Sequence, residues 1–215
     1  MILEYYRFSG KDISAYMPFI IDCVKFYDQH HQMYHNLMAG KHMKDNPYDE
    51  NGKPVFFPST AGERYPAKKP AEVIAGLTAV TRAVLDLPTN MLTPAQRQYF
   101  EKFKARIPAL PKKEVTVEGK NLPIFIASED DNTSNGEVFL HAVYLYNLVV
   151  PGTPDFQVVL NSMEHKVCGL FPAGNGVCAA RTGNTALAKA NVSKQLDDCN
   201  EKDGRFPTFW MSGDW

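Results

Sequence analysis

The segment Phe57-Pro58-Ser59-Thr60-Ala61-Gly62-Glu63-Arg64-Tyr65 sets one carboxylate among aromatic rings and delivers it onto a helix that opens at Pro70. Sugar rings present C–H faces that pack on aromatic side chains, and a carboxylic acid must meet the glycosidic oxygen to protonate it. Glu63 is therefore the first candidate for a proton donor. Its competing role is that of a surface acid that favours the following helix N-terminus or pairs with Arg64, Lys68 or Lys69. Hydrolysis with inversion needs a second carboxyl group ~6.5–9.5 Å away, so that a water fits between it and the sugar. Glu137, at the start of a helix, Asp131 and Asp214 are the candidates. Without chemistry, Glu137 is a first-turn acid on a helix dipole and Asp214 a solvated acid near the last residue. His141 suits a hydrogen bond to a sugar hydroxyl, a proton shuttle, or a satisfied place in the core. Tyr65, Phe209, Trp210 and Trp215 suit stacking on a sugar face or burial.

His31 and His35 are one helical turn apart, with His30 adjacent, a spacing at which two imidazoles can face one metal. No acidic third ligand stands at a recognisable spacing, and no metal or organic cofactor is expected. The four cysteines, Cys23, Cys168, Cys178 and Cys199, form no Cys-x-x-Cys pair and read as core thiols.

With 215 residues, 44% apolar and 22% charged, the composition is that of one globular domain with a sizeable core. Net charge is -1 and the Lys and Arg residues are scattered, which argues against nucleic acid or a polybasic membrane contact and suits a neutral substrate. No apolar run approaches the ~20 residues of a membrane span, and no signal peptide follows Met1. The sequence as written is expected in the cytoplasm, or secreted or periplasmic if it is an N-terminally truncated piece.

The elements that must position these residues are mostly helical. Asp12 caps a first helix that runs to about Gly40 on Ile13, Tyr16, Met17, Ile20, Val24, Tyr27, Tyr34 and Met38. Val55-Phe56-Phe57 is a short extended run. A second helix from Pro70 carries Val73, Leu77, Val80, Val84 and Leu87 as a buried stripe and stops at Pro88. Thr93-Pro94-Ala95-Gln96 is a capping box that opens a third helix to about Ile107. Val115-Thr116-Val117 and Ile124-Phe125-Ile126 form a small β-hairpin insertion across Glu118-Gly119-Lys120-Asn121. Further helices are expected over 138–149, from Thr153-Pro154-Asp155 to about Lys166, over 177–182 and over 186–199, with a loop at 169–176 and an irregular aromatic tail.

In its order of motifs the chain resembles the C-terminal part of the catalytic domain in six-hairpin, (α/α)6-toroid glycoside hydrolases, particularly bacterial enzymes similar to alpha-L-fucosidases. The resemblance rests on Phe57-Pro58-Ser59-Thr60 through Glu63, Lys69 to Leu77, Ile107-Pro108-Ala109-Leu110-Pro111, Asn135-Gly136-Glu137 and Arg205-Phe206-Pro207-Thr208-Phe209-Trp210, and covers most of the chain. It implies helical hairpins forming part of an (α/α)6 toroid within a single incomplete domain, 1–215. It also implies Glu63 as general acid, Glu137 or Asp214 activating water, and Tyr65, Asn135, His141 and Trp210 on the substrate. Two positions depart from the family pattern. Arg64 beside Glu63 favours the ionised carboxyl, the wrong direction for a general acid, so that role requires the guanidinium to point away. Lys69 stands where relatives have Asn. The sequence supplies about half of the helices of such a ring, so self-association or further chain segments would complete it. The alternatives are a non-catalytic carbohydrate-binding or degenerate fragment, and a polysaccharide lyase with His141 or Tyr65 as base.

Overall fold

A computed structural model describes residues 2–38, 46–62, 64–130, 140–165 and 172–201. It is mainly helical, with two small antiparallel hairpins. The chain divides into two compact units, one of residues 1–112 and 126–133, the other of residues 113–125 and 134–215.

The first unit holds α1 (Ile2–Ser9), α2 (Met17–Met38), β1 (Ser59–Ala61), β2 (Arg64–Ala67), α3 (Ala71–Leu85) and α4 (Pro94–Arg106). Asp12 acts where expected, because its Oδ1 accepts from the Ser14 amide at 2.9 Å and the Ser14 hydroxyl at 2.6 Å. The 3-10 turn Ser14–Tyr16 then leads into α2. The α4 capping box is complete: the Thr93 amide donates to Gln96 Oε1 and the Gln96 amide to Thr93 Oγ1. Arg97 of α4 donates to the carbonyls of Leu85 and Leu87, satisfying acceptors at the end of α3 that have no partner within that helix. Packing of α3 on α4, with the buried seam of α2, gives a core of Ile13, Met17, Ile20, Val24, Ile74, Leu77, Val84, Phe100 and Phe103. Of the expected α3 stripe, Leu77, Val84 and Leu87 are buried, while Val73 and Val80 are only partly buried; Ile74, Ala75 and Thr81 share the buried face.

Three expectations are corrected in this unit. Ile2–Ser9 is helical although no capping signal marks it. Val55-Phe56-Phe57 joins no strand, since Phe56 has φ 48°. The stretch read as a loop between Ser59 and Ala67 is the β1–β2 hairpin, turned at Gly62 with φ 61°. Strands of this length carry too few residues for a period of two to show.

The second unit comprises β3 (Lys112–Val117, from Lys113 onward), β4 (Lys120–Phe125), α5 (His141–Tyr144), α6 (Phe156–His165), α7 (Pro172–Arg181) and α8 (Thr185–Glu201). The β3–β4 hairpin lies where expected and is longer. Its turn residues Glu118 and Gly119 have φ 49° and 77°, the left-handed pair of a type I′ turn. Glutamate is strained there, so Glu118→Asn is expected to raise the stability of this unit by about 0.5 kcal/mol. A urea midpoint that does not move, or falls, contradicts this. The β4 strand packs on α6, and Ile124 and Phe125 of the strand and Val159 of the helix are buried; the Ser162 hydroxyl accepts from the Phe125 amide at 2.8 Å. The helix expected over 138–149 is, among the described residues, one turn long. Asn147 at φ 51° and hydrogen bonds from the Leu148 and Val149 amides back to Ala142 close it. The loop expected up to residue 176 gives way to α7 from Pro172.

Candidate functional site

Within the first unit, a groove of about 480 Å³ is lined by Asp49, Asn51, Lys53, Lys69, Glu129 and Lys112, with Pro108, Ala109 and Pro111 as its apolar wall. Local chemistry sets Asp49. The turn 49–53 closes through Gly52 at φ 70°, and Asp49 Oδ1 accepts from the amides of Asn51 and Lys53 at 3.0 and 2.9 Å. Lys69 reaches the same carboxylate from the strand-to-helix connection before α3. Its Nζ lies 3.0 Å from Asp49 Oδ2 and 3.3 Å from Glu129 Oε1, and the Lys69 and Asp49 side chains are only 15% and 16% exposed. The backbone is pinned on both sides: the Lys69 amide donates to Val55 O, the Glu129 amide to Lys68 O, and the Lys68 amide to Asp130 Oδ1. Lys69 itself has φ 48°, a left-handed conformation that costs a non-glycine residue about 1–2 kcal/mol.

These contacts fix the ionisation of the groove. Burial alone would raise the Asp49 carboxyl, but the Lys53 amide and the Lys69 ammonium outweigh it and hold it below the usual carboxylate range. Burial would lower Lys69, and Asp49 and Glu129 outweigh that and hold its ammonium above the ordinary lysine value. Lys69 is thus no amine nucleophile and Asp49 no proton donor at neutral pH. What the groove presents is a donor held between two acceptors, beside a wall in which Ala109 is exposed and Pro108 and Pro111 are buried.

A second carboxyl group has the opposite character. Glu72, in the first turn of α3, is half-buried and its Oε1 accepts from the Gly62 amide at 3.1 Å, at the turn of the β1–β2 hairpin. Burial pushes its carboxyl up, with the Gly62 hydrogen bond opposing. That is the direction a general acid requires.

Between α2 and α4 lies a buried polar cluster. Asp28 Oδ2 accepts from the Tyr99 hydroxyl at 3.0 Å and from Arg106 Nη2 at 2.9 Å. Burial, then Asp28, pushes the Tyr99 phenol well up, so it remains a donor. His31 packs edge-on against Tyr48 and Phe56, and its Nδ1 sits 3.1 Å from Tyr27 O. Asp28 Oδ1 and His31 Nε2 are buried and find no partner among the described residues. Burial holds the His31 imidazole below the usual histidine value. Its folded value lies below the unfolded one near 6.5, so stability is full above about pH 6.5 and falls as pH drops through the folded value. Wild type should lose stability between pH 7 and 5 faster than His31→Gln does. Parallel pH profiles for the two proteins contradict this.

Of the residues singled out by sequence, Glu63, Glu137, Asp131, Asn135, Trp210 and Asp214 lie outside the described residues, as do the side chains of Arg64 and Tyr65. His141 is placed in the second unit. It opens α5, half-buried, its ring 5.2 Å from that of Tyr144, and burial holds its pKa down. The His31/His35 pair is not turned to one metal, since His31 faces the aromatic core. Among the described residues no group of three or more metal-ligating side chains exists. Cys178 is buried as expected, whereas Cys23 is exposed on α2, a correction to its reading as a core thiol; the side chains of Cys168 and Cys199 lie outside the described residues. No helix among the described residues is long and apolar enough to cross a membrane. Sequence reading missed Asp49, Glu72 and Glu129 as site residues. The signal for Asp49 was its Asp-x-Asn-Gly turn, and that for Glu72 its place two residues after Pro70, in the first turn of the helix. In comparison with known proteins, the chain matches no family model, no curated protein and no solved structure.

Proposed function

We propose that the chain binds an oligo- or polysaccharide in the groove of its first unit. The observation that carries this reading is Lys69 held between Asp49 and Glu129 in the groove. A sugar hydroxyl both donates and accepts, so adjacent hydroxyls are matched by an ammonium flanked by carboxylates. A C–H face of the sugar would meet Ala109, the exposed apolar residue of the wall, with Pro108 and Pro111 buried behind it. Because the ion pairs are formed before any ligand arrives, little side-chain entropy is lost on binding. The six-hairpin (α/α)6 toroid remains part of the proposal through the resemblance of the motifs, and the packed pair α3 and α4 is consistent with its hairpin unit. Titration calorimetry against neutral plant and host oligosaccharides is expected to give dissociation constants on the order of 0.1–1 mM for at least one of them. No heat of binding across the set would remove the reading.

Glu72 favours a second, catalytic reading, acid-assisted hydrolysis of a glycosidic bond, because its half-buried carboxyl accepts from the Gly62 amide at the hairpin turn. Release of reducing ends from aryl glycosides and oligosaccharides is the assay. In that reading Glu72→Gln lowers turnover by about 10²–10⁴-fold while leaving binding intact. Unchanged turnover in Glu72→Gln, with loss in Glu63→Gln, returns the acid role to Glu63; loss in neither excludes both.

A further inference from the structure

The outer face of α2 carries a second pattern that neither the core nor the groove uses. Tyr16, Phe19, Cys23, Phe26, His30, Met33 and Leu37 follow one another at spacings of three and four, from the 3-10 turn before α2 almost to its end. That is the a/d seam of a left-handed coiled coil over three heptads, with Tyr16, Cys23, His30 and Leu37 at a and Phe19, Phe26 and Met33 at d. It is distinct from the buried seam of Ile13, Met17, Ile20, Val24 and His31, which faces the core of the first unit. Tyr16, Phe19, Phe26, Met33 and Leu37 are 53–66% exposed. The rings are already ordered against one another: Phe26 stacks on His30 with centroids 4.7 Å apart and meets Tyr27 edge-on at 5.7 Å.

We propose that this seam is the interface of a homodimer in which α2 packs in parallel and in register on α2 of a second copy. The area fits a second helix. At ~150–250 Å² per aromatic side chain, the exposed halves of these residues amount to roughly 400–700 Å² per copy. With their flanking side chains this approaches the ~800 Å² per partner of a stable complex, and it reaches or exceeds the apolar patch a monomer ordinarily shows. A seam with strict three-four spacing needs a partner with the same spacing, and an identical helix in register supplies it along the full length. The flanking positions are also compatible. Asp22 and Gln29 at g face Tyr27 and Tyr34 at e of the other copy, so acceptors meet phenol donors, and no like charges oppose.

Sedimentation velocity on the full chain at about 50 µM tests the proposal, with wild type expected as a dimer and Phe26→Lys as a monomer. The changed side chain is exposed, and an unaltered circular dichroism spectrum shows that the variant is folded. A parallel register also sets the two Cys23 thiols opposite each other. Diamide should therefore join them, each pair losing two electrons and two protons to the diamide, which is reduced to its hydrazine. Cys23→Ser should abolish that species. A monomeric wild type, or a dimer that Phe26→Lys leaves intact, overturns the interface. A dimer that diamide does not link through Cys23 overturns the parallel register, because a shifted or antiparallel seam places the thiols beyond disulfide reach.

Discussion

Asp28→Ala is expected to destabilise the first unit by about 2–4 kcal/mol. The carboxylate is 8% exposed, and one of its oxygens takes both the Tyr99 hydroxyl and the Arg106 guanidinium. Removing it leaves a half-buried phenol donor and a cation without their acceptor, and opens a void between α2 and α4. The upper end of the range for breaking a buried ion pair does not apply, because the Arg106 side chain is 35% exposed and regains water. Asp28→Asn keeps an acceptor of the same shape and should cost less than half as much. Tyr99→Phe, which removes one neutral donor, should cost about 1 kcal/mol. Urea denaturation, together with hydrogen exchange at the amides of α2 and α4, reads all three. A loss below about 0.5 kcal/mol for Asp28→Ala, the scatter of surface substitutions, would show that the cluster carries no weight.

Lys69→Met is the second large effect, and it falls on binding. The substitution keeps the aliphatic stem and removes the ammonium, leaving the Asp49 and Glu129 carboxylates facing the groove without their shared cation. A sugar loses one charge-assisted donor, worth about 1.5–3 kcal/mol, so affinity should fall about 10- to 150-fold. The Asp49 carboxyl should rise toward its ordinary value once the cation is gone, since Lys69 is among the groups that hold it down. Lys68 provides the control. It pairs with the other oxygen of Glu129 at 3.5 Å, but its side chain is 42% exposed, and Lys68→Ala should change affinity less than about twofold. Equal losses in the two variants would point to general electrostatics in place of the groove.

How far the sequence spoke depends on how local the cause was. The capping box at Thr93 and Gln96, the stop at Pro88 and the turn at Glu118-Gly119 were legible because neighbours within four residues decide them. The Ser59–Ala67 hairpin was not, since Pro58 and Pro66 read as loop and each strand is too short for alternation to show. The one-turn helix at His141 was overextended because Ala142 to Val149 are apolar enough for a helix. The left-handed Asn147 that ends it leaves no mark in composition. The groove was illegible for a different reason. Asp49, Lys69 and Glu129 are separated by 20 and 60 residues, and only the pairing of Val55, Lys68 and Lys69 with their distant partners brings them together. The α2 face misled in the opposite sense. Its apolar residues follow two helical seams, and the sequence reading assigned Tyr16, Tyr27 and Tyr34 to the same stripe as the core residues, although Tyr16 and Tyr27 are exposed.

Backbone amide chemical shifts of the labelled chain, followed during titration with the tightest-binding oligosaccharide, test whether a sugar binds in the groove around Lys69. Saturable shifts are expected at Asn51, Lys53, Lys69, Ala109 and Glu129, and are lost in Lys69→Met. Shifts centred on other residues while these five stay still would contradict it.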